Sequence, residues 1–182
     1  MNCKRIICAV LCAAMLLSAG CSKGKGNNTA PTEATYEEVT AELGQSATYG
    51  GMTLTVDFAE DPGIRIDDSG NNVMFFHVTI ENETEEVVTA SYLNNFCLTV
   101  NGTFYESYEC CTIPAMKKLY DTYDVDAINA EVQPHTSSEG YVACEVNPRY
   151  DLIDLHYIPK TTDRASRITV TLTQENIRKT SK

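Results

Sequence analysis

The chain predicts an all-β fold, an antiparallel β-sandwich with one short helical insert. Three observations predict it. Apolar and polar residues alternate in five separate runs, the period of strands with one buried face. Turn-forming residues separate those runs. One stretch alone carries a helical period.

The five runs come in chain order. Met52, Leu54, Val56 and Phe58 alternate with Thr53, Thr55 and Asp57. Met74, Phe76, Val78 and Ile80 alternate with Phe75, His77 and Thr79. Phe96, Leu98 and Val100 alternate with Asn95, Cys97 and Thr99. Val142, Cys144 and Val146 alternate with Tyr141, Ala143 and Glu145. Ile168, Val170 and Leu172 alternate with Arg167, Thr169 and Thr171. Between them fall Gly50-Gly51, Ser69-Gly70-Asn71-Asn72, Asn82-Glu83, Asn101-Gly102 and Asn147-Pro148. Asn101-Gly102 suits a tight hairpin, because both residues tolerate positive φ, and it would pair 96–100 with 103–108. Weaker strands are expected at 87–92, 130–133 and 153–157, for seven to nine in all, the strand count of a sandwich. The exception follows Cys110-Cys111. Pro114 suits a first helical turn, and Met116, Leu119, Tyr120 and Tyr123 share one helical face. A short helix over an open end of the sandwich is expected, its apolar face used for packing. A long excursion between strands is also where a partner-facing insert would sit.

The N-terminus supplies an address. Lys4 and Arg5 precede an uncharged apolar run from Ile6 to Ala19, then Gly20 and Cys21. That is the layout of a secretory leader, too short to span a bilayer. Leu17-Ser18-Ala19-Gly20-Cys21 resembles a bacterial lipobox. The resemblance implies that Cys21 is lipidated and becomes the new N-terminus; two acyl chains give a stable anchor where one gives a marginal one. The organisation expected is a leader over 1–20, a lipidated flexible tether over 21–43, a sandwich over 44–175 and a tail over 176–182. A random-coil tether of this length reaches about 25 Å. The location expected is the extracytoplasmic face of the cell membrane.

Charge excludes one class of partner. The whole chain has a net charge of −11, and removing Lys4 and Arg5 with the leader takes 14 basic residues to 12 against 25 acidic ones, a net −13. Such a chain does not bind nucleic acid through its phosphates, and anionic lipid repels it. Its membrane partner is reached through the lipid on Cys21, and a protein or cell-envelope partner is expected beyond that.

Of eight cysteines, Cys3, Cys8 and Cys12 leave with the leader and Cys21 carries lipid. Cys97, Cys110, Cys111 and Cys144 remain. An even number in an exported domain suggests disulfides. The neighbours Cys110 and Cys111 are the least favourable pair on geometry; either other pairing ties Cys97 and Cys144 to that corner. Free thiols are the alternative. No Cys-x-x-Cys spacing supports a metal site, and no metal or cofactor is expected.

The strand motifs carry a resemblance. Gly-Gly-x-x-Leu-Thr-Val (50–56), His-Val-Thr-Ile-Glu-Asn-Glu-Thr (77–84), Phe-Cys-Leu-Thr-Val-Asn-Gly-Thr-Phe-Tyr (96–105), Pro-His-Thr-Ser-Ser-Glu-Gly-Tyr-Val-Ala-Cys-Glu-Val (134–146) and Leu-x-Tyr (155–157) resemble the telokin-like, immunoglobulin-like domain of unknown function on lipoproteins of Gram-positive bacteria. The resemblance implies an immunoglobulin-like sandwich at the cell surface, and brings no catalytic residues. Cys144 departs from it, standing where a large apolar residue is usual.

No catalytic constellation is present. His77, His135 and His156 lack metal-ligand spacing, although His77 and His156 could both face outward. Glu60, Asp61, Asp67 and Asp68, and Asp121, Asp124 and Asp126, offer oxygen ligands without matching a calcium loop. There is no nucleophile elbow or phosphate loop. The expected function is therefore a non-enzymatic binding module. The alternatives are a small-ligand or metal receptor, possible as a transporter-associated subunit, and an envelope enzyme or redox protein using Cys110 and Cys111.

Overall fold

A computed structural model describes residues 36–66 and 69–180. The lipobox, Cys21 and most of the expected tether lie outside the described residues, as do Asp67 and Asp68.

Two five-stranded sheets face each other. In the first, the strands are β1 (Glu38–Glu42), β6 (Phe96–Val100), β7 (Thr103–Tyr105), β10 (Leu152–Tyr157) and β11 (Arg167–Thr173), in the order β1-β11-β10-β6-β7. The second contains β2 (Ser46–Tyr49), β3 (Met52–Asp61), β4 (Asn72–Asn82), β9 (Thr136–Val146) and β12 (Ile177–Lys179). There β3, β4 and β9 run antiparallel. One edge of β3 is covered first by β2 and then by β12. A small ribbon pairs β5 (Val88–Ser91) with β8 (Asn129–Val132). The β-sandwich expected from the alternation is the fold. Its core joins Leu54, Val56, Met74, Phe76, Val78 and Ile80 to Phe96, Leu98, Leu155, Tyr157, Ile168 and Val170 across the gap.

The Asn101-Gly102 turn forms as its residues require. Both adopt positive φ, 49° and 81°, and β6 pairs with β7. The Asn101 side chain then accepts from the backbone N–H groups of Asp151 and Leu152 at 2.8 and 3.1 Å, which pins the hairpin to β10.

Several boundaries move. Residues 38–42 form a strand inside the segment read as tether, because Val39, Ala41 and Leu43 pack on the core and β1 pairs in parallel with β11. Residues 177–179 form β12 inside the expected tail, since Ile177 is buried. The strand expected over 103–108 stops at Tyr105, where Glu106 starts a helical turn, α1 (Ser107–Cys110), through a reciprocal capping box with Glu109. The Ser107 hydroxyl donates to the Phe96 carbonyl and fixes that turn against β6.

The helix expected after Pro114 is α2 (Ile113–Tyr123), capped by Thr112 and ended by Asp124 in the left-handed region. Its position differs from expectation. It lies on the outer face of the second sheet, where Ala115, Met116 and Leu119 pack with Val73, Phe75 and Ala143. The Thr112 hydroxyl donates to Glu145 of β9 at 2.5 Å. This explains why β4 reads Val-Met-Phe-Phe: both of its faces are covered there. Tyr120, placed by its period on the packing face, is exposed.

A register shift between Val56 and Phe58 corrects another face. The bulge keeps Val56 and Ala59 in the main core and turns Phe58 outward. Phe58 stacks on His77 at 5.2 Å and meets Tyr141 edge-on at 6.1 Å, with the Arg178 guanidinium 4.5 Å above its ring.

Candidate functional site

Two places gather unusual side chains: a buried thiol cluster at the α1–α2 corner, and an exposed aromatic segment beside it.

Cys110 and Cys111 end α1, and Cys144 stands on β9 facing the main core. All three are buried. The Cys110 and Cys111 sulfurs are 3.7 Å apart, those of Cys111 and Cys144 are 3.4 Å apart, and all three lie within 4.8 Å of one another. The expected disulfides are not formed in this structure. The four cysteines are free thiols, at separations well beyond the roughly 2.05 Å of an S–S bond. Cys97, also buried, is outside the trio. Burial pushes its thiol up to about 12, so it is inert as a nucleophile. Within the trio, the thiols of Cys111 and Cys144 lower Cys110 below the ordinary thiol range, while burial raises Cys144. The sequence could show the even count; it could not show that three of the four meet.

The aromatic segment runs from β7 through α1 to the start of α2. Phe104 and Tyr105 are 43% and 38% exposed, and Tyr108 and Ile113 are each 75% exposed. β7 ends its sheet, with no strand beyond it among the described residues. An ion pair of Arg164 with Glu106 holds the loop before β11 against this segment. Exposed large apolar side chains on an edge strand and the helical turns that follow it are unusual for a solvated surface. The sequence placed a partner-facing insert after Cys110-Cys111; the exposed large apolar residues begin earlier, at Phe104.

The histidines separate. His77 belongs to the second sheet and bonds Asp57 through Nδ1 at 2.8 Å. His135 sits in a turn 3.2 Å from Glu85. His156 belongs to the first sheet and is buried, so the outward-facing His77–His156 pair does not exist. His156 bonds Thr99 through Nε2 and Thr169 through Nδ1, both at 2.8 Å. Thr169 gives its hydroxyl proton to Glu38 at 2.5 Å, so it must accept from Nδ1–H. That assigns a neutral ring protonated on Nδ1. Burial, then the Arg167 guanidinium, lower its pKa to about 4. The ring is a structural bridge between β6 and β11.

The acidic clusters do not assemble. Asp121, Asp124 and Asp126 are exposed. Asp61 is taken up by Asn72 and the Gly63 backbone, and Glu60 by Thr180. Among the described residues, the cysteine trio is the one group of three or more metal-type ligands whose donor atoms converge. The surface depressions are open; one of about 670 Å³ is lined by Glu81, Asn82, Glu83, His135, Thr136 and Ser137. No helix among the described residues is long and apolar enough to cross a membrane.

Comparison with known proteins defines a class by fold. No known protein-family profile matches the chain, and no curated protein matches it in sequence. The ycdA lipoprotein candidate of Bacillus subtilis shares the fold, at 13% identity and a TM-score of 0.51; the match covers 71% of this chain and 38% of that one. Looser likenesses are the yjhA protein of Bacillus subtilis, at 14% identity, TM-score 0.47 and coverage of 72% and 98%, and an uncharacterised β-sandwich protein of Clostridium difficile, at 11%, 0.41, 79% and 99%. At these identities the likeness is one of fold. The chain spans well under half the length of the ycdA protein.

Proposed function

We propose that the protein is a lipid-anchored module on the outer face of a bacterial membrane. It binds a protein or envelope partner without catalysis, through the β7 edge and the aromatic segment 103–113. The observation that carries this reading is the exposure of Phe104 and Tyr105 on the edge strand β7, with Tyr108 of α1 and Ile113 of α2 exposed just beyond it. Such an edge offers unpaired backbone groups to an extended chain, and aromatic rings beside it supply area and specificity. The lipobox at Leu17–Cys21 supports the anchor, and the ycdA fold neighbour carries a lipoprotein description.

Membrane fractionation tests the anchor. The full chain is expected with the membranes and Cys21→Ser in the soluble fraction; an unchanged distribution refutes lipidation at Cys21. Pull-down with the detergent-extracted chain tests the surface. Phe104→Glu with Tyr108→Glu is expected to lose a partner that the native chain retains, and equal recovery refutes it. A small-ligand receptor would bury most of its ligand in a formed pocket, which the open depressions do not favour. A metal receptor finds its support in the thiol trio.

A further inference from the structure

We propose that Cys110, Cys111 and Cys144 form a three-coordinate site for a thiophilic monovalent cation, with Cu(I) as its probe. Cys110 and Cys111 lie within segment 103–113 but are buried beneath its exposed side chains, and the site does not rest on the binding-module reading.

The argument begins with spacing. Metal–sulfur bonds of about 2.3 Å put the sulfurs of a flat three-coordinate site about 4.0 Å apart. The trio has sulfurs at 3.4 and 3.7 Å and none beyond 4.8 Å. A cation at the centre therefore needs shifts of a few tenths of an ångström, and no backbone rearrangement. Three elements fix the ligands: the capped turn α1 holds Cys110, its exit residue is Cys111, and the central portion of β9 holds Cys144.

The donor set then selects the metal. Three sulfurs are soft ligands, which favour Cu(I), zinc or iron–sulfur clusters over calcium or magnesium. Zinc sites are almost always four-coordinate. Here the converging group stops at three, and all three are buried. Cys97 is outside the group. The cross-strand partner of Cys144 is Met74, a soft thioether residue that also belongs to the main core. Cu(I) accepts three sulfurs and tolerates such a neighbour.

Binding releases protons. Each ligating thiol gives its proton to solvent as it bonds to the cation, and the metal's oxidation state does not change. Full deprotonation would leave a doubly negative complex in an apolar core, so occupancy must weaken as pH falls.

The test uses the full chain, purified and kept reduced without oxygen. Cys3, Cys8, Cys12 and Cys21 are all changed to serine to remove the other thiols. The chain is loaded with Cu(I), desalted against a chelator, and its metal content and X-ray absorption are measured. One copper per chain is expected, with a shell of three sulfurs at about 2.3 Å. Adding Cys144→Ala should abolish retention, and adding Cys97→Ser should preserve it. Where Cys144→Ala fails to fold by its thermal melt, Cys110→Ser serves instead. No retained copper, equal retention without Cys144, loss on Cys97→Ser, a two-sulfur shell, or a Cys111–Cys144 disulfide persisting under these reducing conditions would each overturn the site.

Discussion

His156 should make folding stability depend on pH in a window where few other groups titrate. The perturbation is acidification from pH 7.5 to 5.0. In the fold the ring is neutral, locked between Thr99 and Thr169, and its pKa is lowered from 6.5 to about 4 by burial and then by Arg167. Glu38 at 3.9 Å and Asp154 pull the other way. Because the folded pKa is the lower one, the unfolded chain takes up a proton first as pH falls. The contribution is therefore fully present above the unfolded value near 6.5, is lost as pH drops below it, and levels off once the folded value near 4 is passed. At pH 5.0 the loss is about 2 kcal/mol, from about 1.4 kcal/mol per pKa unit. The assay is urea denaturation at both pH values for a chain starting at Ser22 and for the same chain with His156→Gln, whose side chain does not titrate. The native chain should lose about 2 kcal/mol more than the variant between the two conditions. Equal losses would mean that the ring is not held neutral, and the hydrogen-bond assignment would fail.

Three further substitutions probe the packing. Tyr157 buries its hydroxyl without a partner among the described groups, so Tyr157→Phe should be neutral or raise stability by up to about 1 kcal/mol in denaturant melts; a clear loss would reveal a partner for that oxygen. Leu119→Ala empties the contact between α2 and the outer face of the second sheet and should cost about 2–5 kcal/mol; a cost below about 1 kcal/mol would mean the helix is not docked there. Gly140→Ala places a Cβ 2.8 Å from the Ile128 backbone nitrogen, where β9 meets the chain leading into β8, and should cost about 1–3 kcal/mol; unchanged stability would refute that close approach.

Strand positions were legible because period-two alternation is a local signal, and Asn101-Gly102 named its own turn. The tertiary arrangements were less so. Phe58 changes face through a bulge at Asp57 that nothing in Val-Asp-Phe announces. β1 and β12 are weak alone and become strands only because β11 and β3 offer open edges. The helical period of α2 was visible, but the face it covers depends on β4 and β9 far along the chain. In hindsight, the uninterrupted Val73-Met74-Phe75-Phe76 run was the available signal, since a strand apolar on both sides needs cover on both. The thiol trio joins residues 33 positions apart, and the exposure of Tyr108 follows from where α1 ends β7. Neither leaves a local mark.

The most direct test of the binding surface is photo-crosslinking in intact cells. A photoreactive residue replaces Tyr108 in the full, anchored chain, and Glu175, exposed in the turn between β11 and β12, provides the control position. One discrete adduct from position 108 is expected, absent from position 175 and lost when Phe104→Glu is added. No adduct from position 108, or the same adducts from both positions, would contradict the assignment of the β7 edge as the binding surface.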